Sequence, residues 1–477
     1  MSNPSAPPAA GRLSTPTIFA FASAGIPAVM LQLILGTYLP RFYAGHLGIA
    51  LTAVAGAVAL VRLIDIGFDL IIGFGMDRTR TRFGRYRVWF ALGVPLLAYA
   101  TYKILNPPVD AGVSYLITWL LIIYTGTSIV TLSHAAWAAA LATGYNERSR
   151  IYGWMQAVGV IGSVSLLMTP ILTHGAIQPG KGESMSAIAW IIIGLLPFTT
   201  AASVFFAPEK PATTDHKAAG LKDYLAVFTT PGMFRLVLAD LFLVLGPGTT
   251  SPIYIFFFHD AKGFPIKEVS LLLIPYIGAG LLGAPIWARI AQKLGKHRTL
   301  QIACVCYAVC QTALMALPKA EFAMTAVGMF AVGFCASAFV LLIRAMVADI
   351  SDQIRLETGQ NQAGLLYALV TTTQKIGAAI TVTVSYTVLQ LVGYNPKEGA
   401  VNTPDAIHGL ELCYVFAPIL LVFLGGAAFI GWKLDAQRHG EVRRQLDIRD
   451  ALAAEAAMLT TASGISLGGE PPAANQR

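Results

Sequence analysis

Arg62, Asp65 and Asp69 stand three and four positions apart inside a long apolar run, a spacing that places all three on one face of a helix. A charged side chain at the centre of a bilayer costs about 2.5–3.5 kcal/mol on insertion scales, so each one needs a partner or a purpose. Two carboxylates a turn apart can share a hard monovalent cation through their oxygens, or hold one proton between them because like charges repel. Either arrangement would couple an ion gradient to movement. The structural alternative is a buried salt bridge in which Arg62, with Lys375 from a later apolar run, neutralises both acids. The two combine if cation and basic side chains compete for the same oxygens, because ion binding then alters helix contacts.

The elements that must position this seam are membrane helices. Hydrophobic residues make up 55% of the 477 positions and charged residues 12%, against about 25% charge in soluble chains. The apolar surplus must face lipid. Apolar runs long enough to cross a hydrocarbon core about 30 Å thick recur along the chain, and they predict spans at 18–43, 50–76, 88–105, 113–141, 150–174, 187–207, 233–259, 268–292, 298–317, 322–349, 361–392 and 408–434. The first run is too long for a signal-peptide core and is read as an uncleaved span. Cys304, Cys306, Cys310, Cys335 and Cys413 all fall in apolar runs without zinc-like spacing and are read as packing residues.

The net charge of +8 is a topology signal rather than a nucleic-acid footprint. Of the 33 Lys and Arg, 21 fall on the side shared by the termini, 7 on the other and 5 inside spans (Arg62, Arg235, Arg289, Arg344, Lys375). The positive-inside rule then puts both termini in the cytoplasm. The expected organisation is a tail at 1–17, a six-helix bundle at 18–207, an interdomain loop at 208–232, a second bundle at 233–434 and a tail at 435–477 with a cytoplasmic amphipathic helix over 435–460. The halves echo each other: Gly73, Asp77, Arg78, Arg80, Arg82, Gly84 and Arg85 follow span two, and Gly283, Arg289, Lys293, Gly295 and Lys296 follow span eight. Parallel six-helix repeats are what a rocking-bundle transporter with a midplane site leaves in a sequence. Registering the halves sets Leu272, Pro275 and Ala279 opposite the charged seam, so the architecture itself does not require it.

Other candidates are more scattered. Span four presents Thr127, Thr131 and His134 at helical spacing, with Ser128 turned toward the seam. Such hydroxyls commonly bond their own backbone four residues back, and a lone histidine is commonly a satisfied core residue, although it could also contact cargo or carry a proton. Asp240 precedes the helix-weakening run Gly246-Pro247-Gly248-Thr249-Thr250, and a broken helix at midplane is expected to line a site. Gln374 and Lys375 are expected to face the cavity. Asp77, Arg78, Arg85, Arg148, Arg344, Asp349 and Asp352 cluster at cytoplasmic helix ends and are read as a gate. Tyr38, Tyr254, Phe256, Phe257 and Phe258 crowd the outer ends of spans one and seven, where interfacial aromatic belts are expected.

The stretch Arg62-Leu-Ile-Asp65-Ile-Gly-Phe68-Asp69, then Gly73 and Asp77-Arg-Thr-Arg-Thr-Arg-Phe-Gly-Arg-Tyr-Arg, resembles a family signature. With it go Tyr145-Asn-Glu147-Arg148, Ala348-Asp349-Ile-Ser-Asp352, Thr358-Gly359, Lys375-Ile-Gly377 and Gly393-Tyr394. Together these resemble the melibiose permease-like glycoside-pentoside-hexuronide:cation symporter family of the major facilitator superfamily. The resemblance implies an all-α membrane protein with the major facilitator fold and twelve transmembrane helices in two six-helix pseudo-repeats. It implies a sodium or proton site made by Asp65, Asp69 and a hydroxyl near Ser128, with Lys375 close by. Phe68 stands where the family usually has Asn or another small residue, which leaves sodium and proton both open. Span one lacks the family's sugar-binding acid, and Thr131 and Gln156 stand at further sugar-contact positions. The same branch also carries lysophospholipids and other amphiphiles.

The expected protein is a secondary active transporter in the cell (inner) membrane that couples sodium or proton entry to a small organic solute, sugar-like or amphiphilic. An uncoupled facilitator or lysophospholipid carrier is the alternative. It is expected to be a monomer in the lipid bilayer, without nucleic acid, without a cofactor and without enzymatic activity.

Overall fold

The computed structural model describes residues 13–79, 81–141, 145–178, 184–209, 231–359, 363–397 and 399–463. The backbone there is helical because, in lipid, every peptide group must find its partner within its own segment. We number the helices α1 (Thr15–His46), α2 (Leu51–Arg78), α3 (Tyr86–Leu105), α4 (Val113–Leu141), α5 (Tyr145–Leu167), α6 (Met185–Phe206), α7 (Pro231–Phe256), α8 (Ile266–Leu294), α9 (Lys296–Ala316), α10 (Phe322–Thr358), α11 (Ala363–Leu391), α12 (Pro404–Ala427) and α13 (Ala436–Ser463). Ten of these are long and apolar enough to cross a membrane. The crossing helices that fall short are α2, which carries the charged seam, and α5, which opens on a polar turn.

Two helices depart from expectation. The Gly246–Thr250 run does not break α7, which stays α-helical to Phe256 and closes in a π-helical turn over Phe257–Ala261. Pro247 and Pro252 each remove a backbone donor and leave the carbonyls of Leu243 and Gly248 without their helical donor, while neighbouring carbonyls gain hydroxyl donors: Thr249 donates to Gly246 O (2.7 Å), Thr250 to Pro247 O (2.7 Å) and Ser385 of α11 to Thr249 O (2.8 Å). The irregular helix is α1, with π-helical stretches at Ile34–Tyr38 and Phe42–His46. Sequence pattern gives no sign of these, although π-bulges often mark functional sites.

Helices α1–α6 pack mainly on one another through α2–α4, α3–α4, α3–α6 and α1–α5, and α7–α12 do so through α8–α10, α7–α11, α7–α12 and α9–α12. Between the groups, α2 lies along α11, α5 touches α8, and α7 meets the π-helical part of α1. We call the side carrying the start of α1 and the end of α12 the terminal face and the opposite side the far face. Backbones approach closely at Gly333 of α10, where an added Cβ would lie 2.2 Å from Tyr276 O of α8. Gly333→Ala is therefore expected to cost at least the about 1–3 kcal/mol typical of overpacking, seen as a lower thermal-unfolding midpoint in detergent.

The buried far-side ends hold the aromatics expected as an interfacial belt. Tyr38, Tyr254, Phe256, Phe257 and Phe258 are all buried; Phe257 and Phe258 pack on Tyr414, and Phe256 on Tyr386 and Tyr394, within the second half, so these rings fill the protein interior instead of meeting lipid. Arg41, also buried, stacks its guanidinium over Phe256 at 5.2 Å. Thr37 and Ser251 share a hydrogen bond across the halves at 2.9 Å, and Tyr38 donates to Ser270 at 3.3 Å. The molecule is thus closed toward the far face.

Candidate cation and substrate sites

Asp65 is almost completely buried, and its two carboxylate oxygens have separate partners. The Ser128 hydroxyl of α4 donates to Oδ1 at 3.0 Å, and the Lys375 ammonium of α11 donates to Oδ2 at 3.1 Å. Lys375 also pairs with Oδ2 of Asp69. Among the described residues, Oδ1 of Asp69 is buried without a hydrogen-bond partner. One ammonium from the second half thus clamps two acids of the first half, and an oxygen remains for a further ligand. The donor set of two carboxylates and a hydroxyl suits a hard cation, since all are oxygens.

Arg62 does not join this clamp. Helical side chains lean toward the helix N-terminus, so Arg62 reaches away from the acids and lies over the Tyr124 ring of α4 at 4.0 Å. Among the described residues its buried Nε has no hydrogen-bond partner. The sequence reading of Arg62 as a competitor for the same oxygens is corrected here: Lys375 occupies that place alone among the described residues.

Arg62 and Tyr124 instead line a cavity of about 360 Å³ between the halves, with Gln32, Thr37, Ser251 and Thr381 as its other polar residues beside Ser163. Sequence reasoning missed these, because isolated hydroxyls and amides in apolar helices usually serve their own backbone. A signal existed in the register: Ser163 lies seven residues after Gln156, and Thr381 seven after Gln374. The singled-out positions sit on cavity-facing rows, two turns nearer the terminal face.

The remaining candidates fall outside that cavity. Thr127 and Thr131 donate to the carbonyls of Ile123 and Thr127, each at 2.8 Å, so their hydroxyls serve the helix. His134 Nε2 bonds Phe21 O at 3.0 Å, and the ring lies against Phe21 and Phe90, which makes it a satisfied core residue. Gln156 is exposed. Asp240 is buried beside the Gln374 amide, and among the described residues neither its Oδ2 nor Gln374 Nε2 has a well-formed hydrogen bond.

Among the described residues the expected gate does not form one cluster between the halves. Asp349 pairs with Lys296 of α9 at 2.5 Å and with His439 of α13 at 3.3 Å, and Asp352 pairs with His439 at 3.1 Å and Arg443 at 3.4 Å. These acids anchor the C-terminal helix to their own half. Arg85 donates from Nε to Met76 O at 2.8 Å, and the Glu209 carboxylate accepts from the backbone N–H groups of Arg85, Tyr86 and Arg87 at 2.6, 2.7 and 3.1 Å. That caps α3, whose first N–H groups have no helical acceptor. Arg78 and Arg344 are exposed, and the side chains of Asp77 and Arg148 lie outside the described residues. Arg235, another charge inside a span, donates to the carbonyls of Ala428, Ile430 and Gly431 at the end of α12.

Two six-helix groups meeting along α2–α11 and α5–α8, sealed on one side around an inter-half cavity, define a membrane transporter of the alternating-access kind. The sequence profile of the MFS/sugar transport protein family matches residues 20–436, and the chain belongs to that family. It is 24% identical over 423 residues to the isoprimeverose transporter of Lactiplantibacillus pentosus, covering 84% of this chain and 85% of that one. It is 21% identical over 423 residues to the glucuronide carrier protein homolog of Escherichia coli (strain K12), covering 86% and 91%. The fold matches the crystal structure of the nucleoside transporter NupG with a TM-score of 0.66 at 13% identity, covering 87% and 99%. The protein is therefore a multi-pass membrane transporter of a small molecule, and no enzyme.

Proposed function

We propose that the chain is a cation-coupled symporter of a glycoside, with the cation held by Asp65, Asp69 and Ser128 and the sugar in the cavity beside Arg62 and Tyr124. The observation that carries this reading is Lys375: a cation entering between the two acids must displace the ammonium that ties α11 to α2. Cation binding and release of the halves are then one event, which is what coupling requires. The names of the relatives support a sugar, and a cavity of about 360 Å³ lies at the small end of the range for ligand sites, about 300–1,000 Å³. Orientation follows the positive-inside rule: both termini are cytoplasmic in the cell membrane, so the structure is closed to the outside. The chain works as a monomer, since the site lies wholly within it.

Uptake of radiolabelled glycosides into proteoliposomes, with an imposed sodium or proton gradient and then with that gradient dissipated, tests the reading. Equal uptake in both conditions would overturn it. Arg62→Gln is expected to weaken sugar binding at least about tenfold, because a guanidinium in the cavity wall with no hydrogen-bond partner among the described residues is a strong donor to cargo. Cation-induced stabilisation should stay within about twofold of wild type in apparent affinity, since Arg62 does not touch the acids. A thermal-shift titration of each ligand separates the two.

A further inference from the structure

Arg41 lies between the two π-helical stretches of α1, Ile34–Tyr38 and Phe42–His46, in the part of the first half that meets α7. It is 5% exposed, and its guanidinium sits over the ring of Phe256 at 5.2 Å. Phe256 packs in turn on Tyr386 of α11 and on Tyr394, with ring centroids 6.3 and 5.4 Å away. All three rings belong to the second half, so a cation of one half is inserted into an aromatic cluster of the other.

The guanidinium is poorly satisfied there. Among the described residues its enclosed Nε and Nη1 have no hydrogen-bond partner, and Arg41 has no ion pair. The carboxylate joined to this cluster is already engaged: Asp260 accepts from the Tyr394 hydroxyl through Oδ2, and its Oδ1 lies 3.9 Å from His259 Nε2. Lys262, a buried basic residue at the same end, shows the contrast, since its ammonium donates to Met315 O at 2.7 Å and Leu317 O at 3.0 Å. A buried charge with unpaired donors is costly, and one ring face offsets only part of the lost hydration. That cost depends on the access state. Once the halves part at the far face, Arg41 leaves the rings and all of its N–H groups can meet water. Arg41 therefore works against closure. Other contacts of the seam act in the opposite sense: Thr37 with Ser251 and Tyr38 with Ser270 pair polar groups across the halves, and the packing of α7 on α1 adds apolar burial. A transporter needs these effects to nearly cancel, because cargo and coupling ion shift the two states only by their differential affinity.

We propose that Arg41 is a positioning residue for transport, a buried charge that weakens the far-side seal so that the molecule can leave the closed state again once cargo has been released. The proposal rests on alternating access and on neither the identity of the cargo nor the choice of ion. It also gives the irregular turns of α1 a role, since they flank the position where this helix sends a charge into the other half.

The test uses the purified full-length protein in detergent, carrying Ser270→Cys as a reporter. Ser270 is fully buried where Tyr38 of the other half reaches it, so alkylation of a thiol there reads how often the far face opens. Peptide mass spectrometry separates that thiol from the five native cysteines. Arg41→Met drops the charge and should slow alkylation at position 270 about fivefold, whereas Arg41→Lys, which keeps a buried charge, should stay within about twofold of the parent. The methionine variant should unfold at the parent's midpoint or above it. Arg41→Gln is also neutral and should slow the reaction too, and it carries the test if the methionine variant does not fold. Phe256→Leu removes the ring under the cation, so it should speed alkylation when Arg41 is present and not when it is combined with Arg41→Met. Faster alkylation in the neutral variants, with a lower midpoint, would make Arg41 a latch and overturn the proposal. An unchanged rate in the neutral variants, or equal speeding by Phe256→Leu in both backgrounds, would make Arg41 a packing residue and overturn it as well.

Discussion

Asp65→Asn is expected to abolish gradient-driven accumulation, lowering concentrative uptake into proteoliposomes by about a hundredfold. Asp65 is the acid whose two oxygens are held by different halves, with Ser128 on one and Lys375 on the other. The amide keeps the shape and loses the charge, so Lys375 pairs with Asp69 alone. The cation then loses one of its two carboxylates, and a hydrogen bond or ligand contact to a charged group is worth about 1.5–3 kcal/mol. A hundredfold change corresponds to about 2.7 kcal/mol, within that range. Exchange of labelled for unlabelled sugar across the membrane should fall far less, since the cavity around Arg62 and Tyr124 is untouched. Asp69→Asn should show the same split. Full gradient-driven accumulation in both variants would remove the acids from coupling and leave them as salt-bridge structure.

Much of the fold was legible because its signals are periodic or compositional. Spans emerge from apolar runs, the pairing of halves from the repeated basic turns, and the seam from the spacing of Asp65 and Asp69. Lys375 was legible as a partner because an ammonium in an apolar helix has few ways to be satisfied. What escaped depends on direction and on distant pairing. Arg62 shares a helical face with the acids, but the tilt of helical side chains sends it to Tyr124. Thr37 and Ser251 are separated by 214 positions, and neither residue type announces a cross-half contact. The far-side aromatics suggest a lipid interface because hydropathy cannot tell a ring that meets lipid from one buried inside a bundle. Asp349 and Asp352 suggest a gate from sequence because the docking of α13, through His439 and Arg443, is a tertiary event that helix-end charges alone do not reveal.

Lys375→Met makes the opposite prediction about the same cluster, and its sign separates competition from simple neutralisation. In the competitive account the ammonium holds the oxygens that the cation needs, so its removal should tighten cation binding by about tenfold, or 1.4 kcal/mol. The same substitution leaves two buried carboxylates without compensation, and breaking a buried pair from one side costs about 3–5 kcal/mol. The variant should therefore unfold at a lower temperature than wild type in cation-free buffer at neutral pH. It should also recover more than wild type when the coupling ion is supplied, because a ligand that binds the folded form stabilises it in proportion to the logarithm of concentration over dissociation constant. Transport should still fail, since the ion pair between α11 and α2 is then missing from the cation-free step of the cycle. If Lys375 were only a structural neutraliser, no ion would restore the loss. Sodium and protons are distinguished by the same experiment: recovery with sodium at constant pH marks a site closed by an ion on Asp65, Asp69 and Ser128, whereas recovery only on acidification marks two carboxylates that share a proton.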